Sequence, residues 1–234
     1  MLHNMPTWDE LFKAGATFEG VEAEVARMAT LIQEAFQVEP PGINVWDVGC
    51  GTGRHTILFA RLGFTTYASD NSPTALTKTQ ALLNGEGLTG TFAEADMEES
   101  PFGDTQFHGI VIWNVIQHAT TDKIARVLAN LKNHLLPSGY LVLSVKSNKA
   151  EEVGEGEEIE EGTYVMAEGT EAGVPHHYFT REELATLLVP LDIIHLVEIQ
   201  EDIYAVATSR PIATKRLPYH NAHWVVIAQQ PSIN

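Results

Sequence analysis

Val45-Trp46-Asp47-Val48-Gly49-Cys50-Gly51-Thr52-Gly53-Arg54 joins a short apolar run to three closely spaced glycines and then to a segment of helical character. The order reads as strand, tight turn and helix start. Gly49, Gly51 and Gly53 give the backbone freedom and carry no Cβ, so a ligand can lie against the turn and meet the exposed N–H groups of the next helix. The turn is the predicted floor of a pocket. Its Gly-x-Gly-x-Gly spacing differs from the Gly-x-Gly-x-x-Gly dinucleotide fingerprint, which would place a glycine where Arg54 stands.

Outward from the turn, a second strand-like run from Phe64 to Ser69 ends at Asp70. In nucleotide-binding α/β folds an acidic residue at the end of the second strand accepts hydrogen bonds from the ribose hydroxyls. Turn and acid together predict an adenosine-containing ligand. Ser72-Pro73 then starts a helix with a capping residue and proline at its first position. A weaker third strand covers Leu88 to Ala93, and Ile110 to Trp113 is apolar enough for a central parallel strand covered on both faces. Thr121 to Leu136 has helical periodicity, Pro137-Ser138-Gly139 stops it, and Tyr140 to Val145 forms the fifth strand. Repeated strand–helix units predict a parallel sheet.

Asp-Val-Gly-Cys-Gly-Thr-Gly at 47–53, Asp70-Asn71-Ser72 after the second strand, and Ala95-Asp96-Met97 after the third resemble the successive cofactor motifs of class I S-adenosylmethionine (SAM)-dependent methyltransferases. The likeness covers about 45–145 well and the remainder loosely. It implies a Rossmann-like class I methyltransferase fold, a seven-stranded mostly parallel sheet with the last strand antiparallel and helices on both faces. It also implies SAM as methyl donor and S-adenosylhomocysteine as product. By resemblance the first motif, with Asp47, Gly49, Cys50, Gly51 and Gly53, holds the methionine part. Asp70, followed by Asn71 and Ser72, takes the ribose, Asp96 with Met97 takes the adenine, and Asn114 borders the donor. Where many relatives have Phe-Asp at the fourth strand, this chain has Phe107-His108.

A chain of 234 residues, 44% hydrophobic, is expected to form one domain. Within it, 1–40 reads as an N-terminal helical lid segment, with Trp8 a candidate to close over the pocket, and 146–178 as an acidic insert or lid. The net charge of −17 argues against a lasting grip on nucleic acid or an anionic membrane. The expected acceptor is a small molecule, and the protein a cytoplasmic monomer or homodimer. The Asn-Pro-Pro-Tyr-type motif used on exocyclic amino groups of bases and the Pro-Cys pair of cytosine C5 enzymes are both missing. The single cysteine, Cys50, forms no internal disulfide and reads as a small packed residue.

The acceptor side is harder to read, because methyl displacement from a positive sulfur needs alignment and a dry cleft more than a fixed set of catalytic groups. His118, beyond the fourth strand, and His177 and Tyr178, at the end of the insert, are the catalytic candidates, the histidines as proton acceptors and Tyr178 as an orienting group. Tyr164-Val165-Met166 is expected as a short edge strand anchoring the insert. Around His176 and His177 no cysteine or closely spaced carboxylate completes a ligand set, so no metal is expected. Leu191 to Ile199 and Trp224 to Ala228 are the last strands, joined as an antiparallel pair through a connection with Pro211 and Pro218. The alternatives are a SAM-binding regulator or scaffold without catalysis, which His108 in place of Asp permits, and an NAD-dependent oxidoreductase, which should show the longer glycine spacing.

Overall fold

The computed structural model describes residues 7–17, 20–169, 171–203 and 219–232. Five strands form its parallel part: β1 (Asn44–Val48), β2 (Thr65–Asp70), β3 (Thr91–Glu94), β4 (Phe107–Trp113) and β5 (Leu135–Lys146). Helices α3 (Arg54–Arg61), α4 (Pro73–Gly85) and α5 (Thr121–Asn133) make three of the crossovers. The last strands, β9 (Asp192–Ile203) and β10 (Tyr219–Gln229), complete a seven-stranded sheet in the order β3-β2-β1-β4-β5-β10-β9. β10 lies between β5 and β9 and is antiparallel to both. The seven-stranded expectation holds, with the last strand of the chain as the reversed one. Pro211 and Pro218, in the connection, lie outside the described residues.

Every residue of β4 is buried, which its apolar composition and central place require. One face of the sheet packs Val45, Val111 and Val142 against Val25, Met28 and Ile32 of α2 (Ala23–Phe36) and Phe59 of α3. The other packs Val48, Ile110, Ile112 and Leu143 against Ile124, Val127, Leu128 and Leu131 of α5 and Leu184 of α6 (Arg181–Leu187). The result is a three-layer sandwich. Such layering leaves the carboxyl ends of β1, β2 and β4 on one edge, where ligands bind in open α/β sheets.

Two local expectations are corrected. Helix α5 ends at Asn133, because Leu135, whose spacing also suits the helix, pairs with Phe107 at the start of β5. The insert is also more ordered than an acidic loop, forming an antiparallel sheet of β6 (Glu157–Glu160), β7 (Thr163–Val165) and β8 (Pro175–His177). Tyr164 and Val165 therefore belong to the middle strand, and an edge position for this stretch is ruled out. The small sheet is pinned to the loop between β4 and α5. The Thr121 N–H donates to Glu160 Oε1 at 2.6 Å and the His177 N–H to the Gln117 carbonyl at 2.8 Å.

Candidate active site

A cavity of about 180 Å³ opens at the carboxyl ends of β1, β2 and β4. Its floor is the glycine turn. Gly49 and Gly53 have φ of +67° and +87°, and a Cβ on them would stand 2.4 Å from Val115 Cγ2 and 2.7 Å from Thr79 Cγ2, respectively. The turn is thus clamped between the loop after β4 and helix α4. Gly49 and Cys50 donate their N–H groups to the Ser69 carbonyl at 2.8 and 3.0 Å, which ties the turn to the end of β2.

Asp70 completes that tie. Its Oδ2 accepts from the Gly51 N–H and its Oδ1 from the Ser72 N–H, both at 2.9 Å. Burial raises its carboxyl pKa, and the two N–H bonds work against that rise. A carboxylate has about four acceptor sites, so capacity remains for hydroxyls approaching from the cavity that Asp70 lines. Asp96, on the opposite wall, is paired with Lys123 at 2.8 Å and accepts from the Glu98 N–H at 3.0 Å. Asn114 sits just past β4 with φ of 55°, its side-chain oxygen accepting from Ser144 Oγ at 2.9 Å.

Gly49, Cys50, Gly51, Asp70, Asn71, Asp96, Met97, Asn114 and His118 all line this one cavity. Three other expected donor residues do not. Asp47 is 2% exposed and accepts from Thr56 Oγ1 at 2.6 Å, anchoring α3 behind the turn. Gly53 packs on Thr79, and Ser72 caps α4 by accepting from the Ala75 N–H at 3.1 Å. Cys50 is buried, and desolvation raises its thiol pKa well above the ordinary value, as suits a packed thiol.

Trp8 and Phe12 of α1 (Trp8–Lys13) line the cavity from above. The helix is docked by Asp9, whose Oδ1 accepts from Ser72 Oγ at 2.7 Å and from the Thr74 N–H at 2.9 Å. Asp9→Ala should loosen this roof. Losing roughly 1 kcal/mol of hydrogen bonding raises the S-adenosylhomocysteine Kd about fivefold; calorimetric titration giving an unchanged Kd would show that α1 adds nothing to the grip.

The histidines sort differently from expectation. His118 lines the cavity, and its Nδ1 is buried with no hydrogen-bond partner among the described residues. Desolvation drives its pKa down to about 3, with Glu171 opposing, so the ring stays neutral. Trp8 stacks edge-on at 5.0 Å and His176 at 4.8 Å between ring centres. His177 and Tyr178, by contrast, are absent from the cavity lining. His177 Nδ1 lies 2.7 Å from Thr163 Oγ1 and Nε2 2.8 Å from Glu183 Oε1, which joins the insert to α6. Tyr178 packs with Ala150, Tyr164 and Ala222, and burial pushes its phenol pKa far upward. Alternation along β8 explains the exchange, since neighbouring side chains of a strand take opposite faces. It is His176 that meets His118.

Sequence reasoning also passed over Glu22, Arg54 and His55. The Glu22 carboxylate bridges Arg54 Nη1 at 2.7 Å and His55 Nε2 at 2.5 Å, and both partners line the cavity. The position of Arg54 and His55 on the first turn after Gly53 was the available signal, whereas Glu22 precedes α2. His108 lies at the opposite end of β4, where its Nδ1 accepts from the Asn44 N–H at 3.1 Å. The departure at this position leaves the cavity intact.

Residues 45–139 match the family described as a methyltransferase domain, and all three cofactor motifs fall within that span. That span, about two fifths of the chain, is similar to a methyltransferase domain, and the sheet around it has the Rossmann-like fold of solved SAM-dependent methyltransferases. The chain is 32% identical over 92 residues to an uncharacterised protein of Mycobacterium tuberculosis, an alignment covering 37% of this chain and 34% of that protein. The chain thus spans about a third of the length of that curated relative. A SAM-dependent methyltransferase of Methanosarcina mazei has a similar fold, with a TM-score of 0.67, 18% identity, and 86% of this chain and 98% of that one covered. The Burkholderia thailandensis 1,6-didemethyltoxoflavin-N1-methyltransferase, solved with its substrate and S-adenosylhomocysteine, gives a TM-score of 0.58 at 22% identity, covering 90% of this chain and 80% of that one. The methyltransferase family that this span matches implies SAM as the methyl donor. No helix among the described residues is long and apolar enough to cross a membrane.

Proposed function

We propose that this chain transfers a methyl group from SAM to a small-molecule acceptor by in-line displacement. The observation that carries the reading is the single cavity in which the glycine turn, Asp70, Asp96 and His118 meet under Trp8. Gly49 and Gly51 line the cavity with bare backbone, which permits close approach of a ligand, and Asp70 presents a buried acceptor beside it. In this reading Gly49, Cys50 and Gly51 hold the methionine part of the donor, Asp70 the ribose, and Asp96 with Met97 the adenine. SAM supplies a methyl carbon already activated by its positive sulfur. The chain's own contribution is alignment and exclusion of water, by Trp8 from α1 and His118 from the β4–α5 loop. A site roofed this closely suits a small acceptor better than a polymer.

The test is calorimetric titration with SAM, S-adenosylhomocysteine and NAD, followed by an acceptor screen read as S-adenosylhomocysteine formed. Binding of both sulfur ligands without NAD, and turnover with a small nitrogen, oxygen or sulfur nucleophile, is the expected result. Folded protein, freed of copurified ligand, that binds neither sulfur ligand would end the methyltransferase reading. Binding without turnover on any acceptor would favour a regulator.

A further inference from the structure

His118, Glu171 and His176 come from two separate parts of the chain, the loop after β4 and the end of the acidic insert, and converge beside the cavity, which His118 lines. One ligand-type atom from each lies within 4.8 Å of the others. His176 Nε2 is 2.9 Å from Glu171 Oε2, while His176 Nδ1 is 2.9 Å from the Val174 carbonyl. That second contact is the arrangement that orients a metal-ligating imidazole, whose other ring N–H goes to a backbone carbonyl. His118 is a half-buried ring whose Nδ1 is itself buried and unpartnered among the described residues, a costly state for a polar atom held out of water.

We propose that His118, Glu171 and His176 form a site for a first-row divalent metal ion, zinc foremost, at the acceptor end of the cavity. Two imidazoles and one carboxylate are a donor set suited to zinc, with one position left open. Ligands about 2 Å from a tetrahedral zinc stand about 3.3 Å apart, so side-chain rotation closes the widest gap and slightly opens the His176–Glu171 contact. The charge balance also fits. Lys146, the cation facing the cluster from β5, is neutralised by Glu152 at 2.5 Å, and Glu171 offers its carboxylate to the ion. Resting on the methyltransferase reading, the open position would receive the acceptor's oxygen, nitrogen or sulfur and hold it near the donor methyl. The acceptor class is then a small molecule with a metal-coordinating heteroatom.

Chelator-stripped protein should be titrated with zinc chloride and with cobalt chloride, following heat and the visible absorption of cobalt. One equivalent should bind, and His118→Ala and Glu171→Gln should each weaken binding at least about 100-fold. His195→Ala, on β9, should leave it unchanged. X-ray absorption of the cobalt-loaded, unsubstituted protein should show two imidazoles, a readout that needs no variant to fold. Zinc and cobalt uptake unaffected by both cluster substitutions, or a cobalt shell without imidazole, would overturn the proposal. S-adenosylhomocysteine titration of the same samples separates the two readings. Metal bound without it leaves the metal site standing and the donor reading failed, whereas S-adenosylhomocysteine bound without metal overturns only the site proposed here.

Discussion

Asp70→Ala is expected to weaken S-adenosylhomocysteine binding by more than about 100-fold, the equivalent of losing roughly 3 kcal/mol of charge-assisted hydrogen bonding to two ribose hydroxyls. Stability should fall as well. The carboxylate satisfies the buried N–H groups of Gly51 and Ser72, and each donor left unpaired costs about 1–3 kcal/mol. Against this stands the desolvation of the carboxylate itself, which raises its pKa and is relieved by the substitution, so the net loss should be about 2–4 kcal/mol. Denaturant unfolding and calorimetry separate the two effects. A destabilised protein with unchanged affinity would make Asp70 a support of the turn alone and remove it from the donor site.

Gly49→Ala should act on the same turn by a different route. Its φ of +67° is costly for a residue with a Cβ, by roughly 1–2 kcal/mol, and the added carbon would stand 2.4 Å from Val115 Cγ2 and 2.9 Å from Cγ1. The turn or the loop after β4 must move, and both line the cavity. Loss of donor binding by about 100-fold or more is expected, together with about 2–4 kcal/mol of stability from strain and overpacking. Adding Val115→Ala removes the two shortest contacts but leaves Val115 Cβ at 3.2 Å and the dihedral strain, so binding and stability should recover in part. Wild-type affinity in the single variant would show that the donor does not lie on this turn.

The fold was legible because its signals are local and repeated. Val45–Val48, Thr65–Ser69 and Ile110–Trp113 are short runs rich in β-branched and aromatic residues, punctuated by glycine, proline and capping residues, and each became a strand of the central sheet. Leu135 misled because an apolar residue at helical spacing serves equally well as the first residue of a buried strand, and pairing with Phe107 decided between them. The insert misled for a related reason. Its glutamates hide the period of β6, so the stretch that forms β7 was legible as a strand but its place between β6 and β8 was not.

On the donor side the same distinction holds at the level of single side chains. The glycine turn and Asp70 follow one another along adjacent strand ends, so order and spacing along the chain were enough to bring them together. Asp47 shares the motif yet is turned to Thr56, a matter of which way a side chain leaves the backbone. Sequence by itself determined the α/β class, the parallel order of strand and helix, and most of the lining of the cavity, because strand ends in such a fold must share one edge. Only the tertiary structure decided the acceptor side. His118 and His176 are separated by α5, β5 and the insert's strands β6 and β7, and the choice of His176 over His177 rests on strand alternation within a three-residue strand whose register is set by its neighbour.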